Sequence, residues 1–358
     1  MSSPADRRSS HPADLDDAAL LARAAGVLLT QACGDALGVP YEFAMPPAKD
    51  EMPVMRGGGL GPYEPGEWSD DTQMAICIAR VTAHGPGGHC LVDTEGEARG
   101  EALDEIAEAF EAWRNGGASD IGTQTATVLR DAAHLDGPAH RRLTTAARAL
   151  HGVTGKTAGN GALMRTGIVG LVALDDRTAT ARATRAVAHL THADVLAAES
   201  CVLWGEAIRV AVTEERLDVR AGLDLLPAER ADMWSAWIHD AEQDEPTAEL
   251  RQNGFTVTAL LAAWHAVHTT RDAEHHLVEA LAAAVRIGGD TDTVAAIAGQ
   301  LLGAYYGASR VPADWRAAVH GWPGMRADDL VDLAVRTARH GLERGPADGS
   351  GYAPESDA

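Results

Sequence analysis

Two acidic stretches far apart in the chain share one design. Ser69-Asp70-Asp71-Thr72 follows Trp68, and Asp290-Thr291-Asp292-Thr293 follows Gly288-Gly289. Each places two carboxylates and a hydroxyl just where an apolar helical run begins, at Met74 and at Val294. The plain reading is a capped helix, because Ser, Thr and Asp are preferred N-caps and acidic side chains in a first turn complement the helix dipole. A cap needs one acceptor, however, and each stretch offers several, beside glycines that let other groups approach the backbone. Hard cations such as Mg²⁺ and Mn²⁺ take oxygen ligands of this kind. Brought together, the two stretches would form a site for two such cations.

Asp290-x-Asp292-x-Val294 also fits the D-x-D-x-[TV] signature of haloacid-dehalogenase-type phosphatases. That motif needs its first Asp at the end of a buried strand. Here Ala282–Ile287 precedes it and reads as the end of a helix, which leaves the phosphatase as a remote alternative.

Three further segments carry polar groups at bends. Cys33-Gly34-Asp35-Ala36-Leu37-Gly38 closes the first apolar run, with Glu42 just beyond, and alone it reads as an ordinary glycine C-cap. Gly155-Lys156-Thr157-Ala158-Gly159-Asn160-Gly161 is a glycine-rich loop of the kind that cradles phosphates with backbone N–H groups. It is not a P-loop, since Leu150 stands where that motif needs glycine and a helical pattern precedes it. Thr191-His192 precedes another helix, where a lone histidine is more often a surface residue than a working one. Lys156, one of only two lysines, either faces the phosphate loop or lies in solvent.

The elements that must position these groups are helical. Apolar residues recur at three- and four-residue spacing in 18–33, 74–81, 102–113, 162–174, 179–189, 195–212, 257–267, 277–285, 294–306 and 330–340, and strand-like alternation is almost absent. Of the 358 residues, 46% are hydrophobic, enough for a large core. The expected fold class is all-α, a single compact multi-helix domain over 14–344 between disordered tails at 1–13 and 345–358. The net charge of −22 opposes nucleic-acid backbones and anionic membranes, and no run of 18 apolar residues predicts a membrane span. Cys33, Cys77, Cys90 and Cys201 form no C-x-x-C pair and read as free thiols. With no signal-peptide stretch, the expectation is a cytoplasmic monomer.

Taken jointly and in order, the motifs resemble the ADP-ribosylglycohydrolase family, the group that includes dinitrogenase reductase-activating glycohydrolase and the ADP-ribosyl-acceptor hydrolases. They are Gly34–Gly38 with Glu42, Ser69–Thr72, Gly159–Gly161 with Met164-Arg165, Thr191-His192 and Gly288–Thr293, and they run through most of the chain. The resemblance implies an all-α fold with a dinuclear Mg²⁺ or Mn²⁺ centre in a cleft. Its metal ligands would be Ser69, Asp70, Asp71, Asp290, Asp292 and Thr293. Thr157, Gly159, Asn160 and Gly161 would hold the diphosphate and distal ribose, with His192 beside them. Asp120 would lie near the substrate ribose and Phe255 near the adenosine. Ser69 replaces the family's commoner Thr but keeps the hydroxyl, and Lys156-Thr157-Ala158 departs from the Gly-Ser-Tyr of some members.

The reaction implied is hydrolysis of the bond between ADP-ribose and its acceptor, on a modified protein or a small ADP-ribosyl molecule. Glu42, Asp70, Asp71, Asp120 and Asp292 are all candidates to take the proton of the attacking water. Arginine is the leading expectation for the acceptor, from bacterial members of the family rather than from residues. The loops at 46–65 and 217–253 carry no signature that chooses among arginine, serine, an acetyl ester or a nucleobase. A catalytically silent ADP-ribose-binding module is the alternative.

Overall fold

The first apolar run divides at Ala25 into α1 (Asp17–Ala24) and α2 (Gly26–Gly38), and every residue of α2 is buried. In this computed structural model the described residues are 17–342, except 85–90, 94, 117 and 244–246. The two expected tails and Cys90 lie outside them. Ala18–Tyr41 is the one stretch among the described residues long and apolar enough to cross a membrane, and most of it is buried inside the fold. That stretch is the central strut of the core.

Downstream follow α3 (Asp70–Thr82), α4 (Gly100–Asn115), α5 (Thr123–Ala132), α6 (Ala139–Thr154), α7 (Arg177–His189), α8 (Val195–Glu214) and α9 (Ala228–Ala241). The chain then runs through α10 (Thr256–Thr269), α11 (His276–Ile287), α12 (Thr291–Tyr306), α13 (Ala313–Ala318) and α14 (Ala327–Leu342). The one sheet among the described residues is a two-stranded antiparallel hairpin, β1 (His320–Gly321) with β2 (Met325–Arg326). The all-α expectation holds, and a helix rather than a strand leads into Asp290. The phosphatase reading therefore lacks its structural context.

Two expectations change. Residues 162–174 do not form an α-helix but lie across two short 3₁₀ turns, Asn160–Arg165 and Gly167–Leu171. A three-residue recurrence of apolar side chains serves both helix types, so the spacing could not separate them. Gly167 and Gly170 mark the tight turns: a Cβ there would lie 2.6 Å from the Gln300 side chain and 2.8 Å from Ile208. Region 217–253, read as loop, contains α9, which buries only Trp234, Ile238 and Ala241. The sequence pattern also passes over α5 and α6, which bury only narrow stripes.

The packing that matters most for function is α2 against α12. Their axes approach until backbone meets backbone. A Cβ on Gly34 would lie 2.1 Å from the Ala295 carbonyl oxygen, and one on Gly38 would lie 2.3 Å from Asp292 Cα. Only glycine fits such a crossing. The seam is locked by the Thr291 hydroxyl, which donates to the Gly38 carbonyl at 2.8 Å. It places the start of α12 directly against the end of α2, and with it Asp292 beside Asp35.

Candidate active site

Four chain segments converge where α2 ends. Asp35 is fully buried, and its carboxylate accepts four hydrogen bonds from the start of α3. Oδ1 accepts from Ser69 N and Ser69 Oγ, both at 2.8 Å, and Oδ2 accepts from Thr72 N at 3.1 Å and Thr72 Oγ1 at 2.6 Å. Ser69 makes no side-chain cap to its own helix. The cap is supplied by another helix, so the carboxylates of Asp70 and Asp71 are left for other work.

At the second stretch, Gly288 and Gly289 take φ of +80° and +83°, a left-handed turn that a side chain would strain. Asn253 clamps it: its amide donates to the Gly288 carbonyl at 2.9 Å, and its Oδ1 accepts from Asp290 N at 2.8 Å. Asn160 Nδ2 donates to Asp290 Oδ2 at 2.7 Å and to the Asn253 carbonyl at 2.9 Å. Asp290 makes no side-chain cap either. The Glu42 loop is pinned to the same turn by Phe43, whose N–H donates to the Gly289 carbonyl at 2.7 Å from a left-handed φ of +48°.

The result is two overlapping acidic clusters. Asp35, Asp71 and Asp292 each offer a carboxylate oxygen within 4.8 Å of the others, as do Glu42, Asp290 and Asp292. The Ser69 hydroxyl lies 2.8 Å from Asp35 and 3.0 Å from Asp71 Oδ2, yet it has one proton to share between them. Asp71 Oδ1 is buried without any partner. Burial, reinforced by neighbouring carboxylates, pushes Asp70, Asp71 and Asp292 well above the usual carboxylate range. The same causes lift Glu42 to about 8. Burial lifts Asp35 to about 6, with its four hydrogen bonds pulling the other way. Burial also raises Asp290, partly offset by the Asn160 amide, and raises Asp120 with help from Asp290.

These clusters form one end of a cavity of about 420 Å³. Glu42, Asp70, Asp120, Asp290 and Asp292 line it, together with Gly159, Asn160, Gly161, His192 and Thr293. No lysine or arginine does.

A profile of the ADP-ribosylglycohydrolase family matches residues 16–346. The chain belongs to the ADP-ribosylglycohydrolase family. It is 28% identical over 305 residues to the ADP-ribosylarginine hydrolase Tri1 of Serratia proteamaculans, covering 85% of this chain and 77% of the relative. It is also 28% identical to the ADP-ribosyl-[dinitrogen reductase] glycohydrolase of Rhodospirillum rubrum, covering 82% of this chain and 88% of that one. A solved structure, an ADP-ribosylglycohydrolase-related protein complex, superposes with a TM-score of 0.69 at 27% identity, covering 90% of this chain and 99% of that one.

In this glycohydrolase most residues picked out from the sequence do gather. Glu42, Asp70, Asp120, Gly159, Asn160, Gly161, His192, Asp290, Asp292 and Thr293 all line the cavity. Ser69 and Asp71 stand just behind, in contact with Asp35. Two residues stand apart from the lining. Thr157 is buried with its hydroxyl 2.6 Å from His151 Nδ1, and Phe255 starts α10 with 40% of its surface exposed. Lys156 is exposed and takes no part in the cavity. His192, read as a surface residue on pattern alone, is only 1% exposed. Asp35 and Asn253 are the orienting groups that motif reading passed over. Asp35 had a signal: it is the single charged residue of α2, and a buried charge in an apolar helix needs a reason.

Proposed function

We propose that this ADP-ribosylglycohydrolase hydrolyses the bond joining ADP-ribose to arginine on a modified protein, using two divalent cations, Mg²⁺ or Mn²⁺. One observation carries the reading: five carboxylates and no lysine or arginine line the cavity, while Asp71 Oδ1 is buried and unpartnered. A diphosphate would be repelled by that field unless cations reversed it. The donor set fits, being oxygen throughout. Ser69, Asp70, Asp71, Asp290, Asp292 and Thr293 would hold the cations, and Asp35 and Asn160 would orient their ligands. Bound there, the cations would supply positive charge for the ribose hydroxyls and the diphosphate, and would acidify a water.

The chain's own groups account for the rest. Glu42 is carried by a loop at the cavity edge rather than by a helix start. Its carboxylate lies with those of Asp290 and Asp292, beside the place of the cations, and ionised there it is suited to take the proton of the attacking water. Asp120, half-buried on the loop before α5, is placed to accept from a ribose hydroxyl. Cleavage passes through an oxocarbenium-like ring, and a carboxylate-rich wall favours the positive charge that develops there. The likeness to the Serratia arginine hydrolase supports arginine as the acceptor.

The test is release of ADP-ribose from a protein ADP-ribosylated on arginine, beside serine-linked, acetyl-ester and nucleobase conjugates. We expect turnover of the arginine conjugate, its loss in EDTA and its recovery with Mg²⁺ or Mn²⁺. Full activity after exhaustive chelation would sink the cation assignment. Turnover confined to another conjugate would move the acceptor, and ADP-ribose binding without any turnover would make the protein a binding module.

A further inference from the structure

Among the side chains that line the cavity, three carry N–H groups: Gln124, Asn160 and His192. Gln124 commits its amide to the carbonyls of Thr157 at 2.9 Å and Thr191 at 3.2 Å. Asn160 commits its amide to the Asn253 carbonyl and to Asp290. An amide NH₂ has two protons, so neither residue has one left for a ligand. His192 remains. Its ring is pressed against the glycine loop, where a Cβ on Gly159 or on Gly161 would lie 3.4 Å from Nε2. A Cβ on Gly161 would also lie 3.2 Å from Cε1, so glycine there leaves room for the imidazole.

The proton's place on that ring follows from two residues behind it. Arg165 is fully buried, with its guanidinium 4.4 Å from the Phe110 ring centroid. Its Nη2 donates to Thr191 Oγ1 at 2.8 Å, and that oxygen lies 2.7 Å from His192 Nδ1. A guanidinium can only donate, so Thr191 Oγ1 accepts from Arg165 and has its single proton free for Nδ1. The opposite tautomer would aim two donors at Thr191 Oγ1 and strand its hydroxyl proton where nothing is exposed to solvent, a costly arrangement. Burial first, and then the Arg165 charge, hold His192 well below the usual imidazole range, so the ring is neutral.

We propose that Arg165 and Thr191 form a positioning relay that fixes His192 as its Nε2–H tautomer, presenting the uncommitted side-chain N–H of the cavity lining to an anionic oxygen of the substrate. The chain is Arg165 to Thr191 to His192, and only its last member meets the ligand. A neutral donor suits this place. An imidazolium would be drawn to the surrounding carboxylates, whereas a neutral N–H can serve an anion without competing for them. The identity of that anion, the diphosphate of ADP-ribose, rests on the function proposed above; the relay does not.

Nitrogen-15 NMR of the histidine rings in the ligand-free protein tests the relay directly. His192 should show a protonated Nε2 and a hydrogen-bonded, unprotonated Nδ1 at neutral pH. Thr191→Val should move Nδ1 to the resonance of an unbonded nitrogen and weaken ADP-ribose binding, measured by calorimetry with Mg²⁺, by about tenfold. Thr191→Ser should restore both. Arg165→Met should weaken binding alone and add nothing in the Thr191→Val background; additive losses would place Arg165 outside the relay. If Arg165→Met does not fold, the Thr191→Val and Thr191→Ser pair decides. A protonated Nδ1 in the wild type, or unchanged affinity in Thr191→Val, overturns the proposal. ADP-ribose failing to bind the wild type would instead count against the substrate reading, since the NMR arm needs no ligand.

Discussion

The starts of α3 and α12 carry nearly the same residues and are held by opposite chemistry. At α3 the orienting group is a carboxylate: Asp35 reaches across from α2 and takes four hydrogen bonds from Ser69 and Thr72. At α12 the orienting groups are neutral amides, Asn253 and Asn160, which grip the glycine turn and Asp290. Both arrangements free the first-turn carboxylates from capping. They differ in what they add to the site. An amide orients a ligand without changing the local charge, whereas Asp35 adds another buried anion to a cluster that already holds Asp71 and Asp292. Burying an unpaired carboxylate costs on the order of several kcal/mol. If the proposed cations bind, the α3 side should depend on them more than the α12 side does.

The residue that the two helix starts share is the most sensitive position. Asp292 belongs to both acidic clusters. Asp292→Ala should lower turnover on the order of a thousandfold, taking several kcal/mol of charge stabilisation at about 1.4 kcal/mol per decade. Circular dichroism should show its helix content intact, and unchanged turnover would remove Asp292 from the chemistry. Next comes Asp35→Asn, which keeps the shape but turns a donor toward donors. It should weaken Mn²⁺ binding by about 10–100-fold, as loss of an outer-shell partner does. It should also cost about 1–3 kcal/mol in unfolding, read from denaturant titrations. Asn160→Ala removes a neutral partner of Asp290 and should fall at the low end of that range, about tenfold in Mn²⁺ affinity. Equal losses for the two variants would mean that the charge of the orienting group does not matter.

The most gradual effect is a pH slope. Glu42 at about 8 and Asp35 at about 6 lie above their ordinary values when folded. Between the ordinary carboxylate range and those values the folded state binds more protons than the unfolded one, so stability falls as pH rises. The metal-free protein should therefore melt at a higher temperature at pH 5 than at pH 8, with the loss spread across that window. Saturating Mg²⁺ should flatten the slope, since cations bind the ionised forms. A metal-free melting point that climbs with pH would contradict the electrostatics described for both helix starts.

Much of this was legible in the chain and part was not, for identifiable reasons. Helices with wide apolar faces, such as α8 and α12, declare themselves because burial on most sides leaves little room for polar residues. Helices that bury a thin stripe, such as α6 and α9, do not. The acidic starts could be read because carboxylates, hydroxyls and glycines crowd together locally. The orienting partners were harder to read: Asp35 stands out as the single charge of α2, but it and Asn253 act on residues far away along the chain, and nothing in their neighbours announces the partner. His192 reads as a surface residue on its own pattern for the same reason: its ring packs against the Gly159–Gly161 loop, a distant part of the chain.

The seam between α2 and α12 has a consequence for how the molecule is made. The Thr291 hydroxyl and the Gly38 carbonyl that it locks are 253 residues apart. During synthesis the Asp35 and Ser69–Asp71 half of the site emerges early and must wait, as an uncompensated acidic cluster, for its counterpart to leave the ribosome. Contacts that close so long a loop form late and slowly. Tight cation binding, as proposed, would then require α12 to have docked. The moment at which a nascent chain first retains Mn²⁺ would time the final docking of α12.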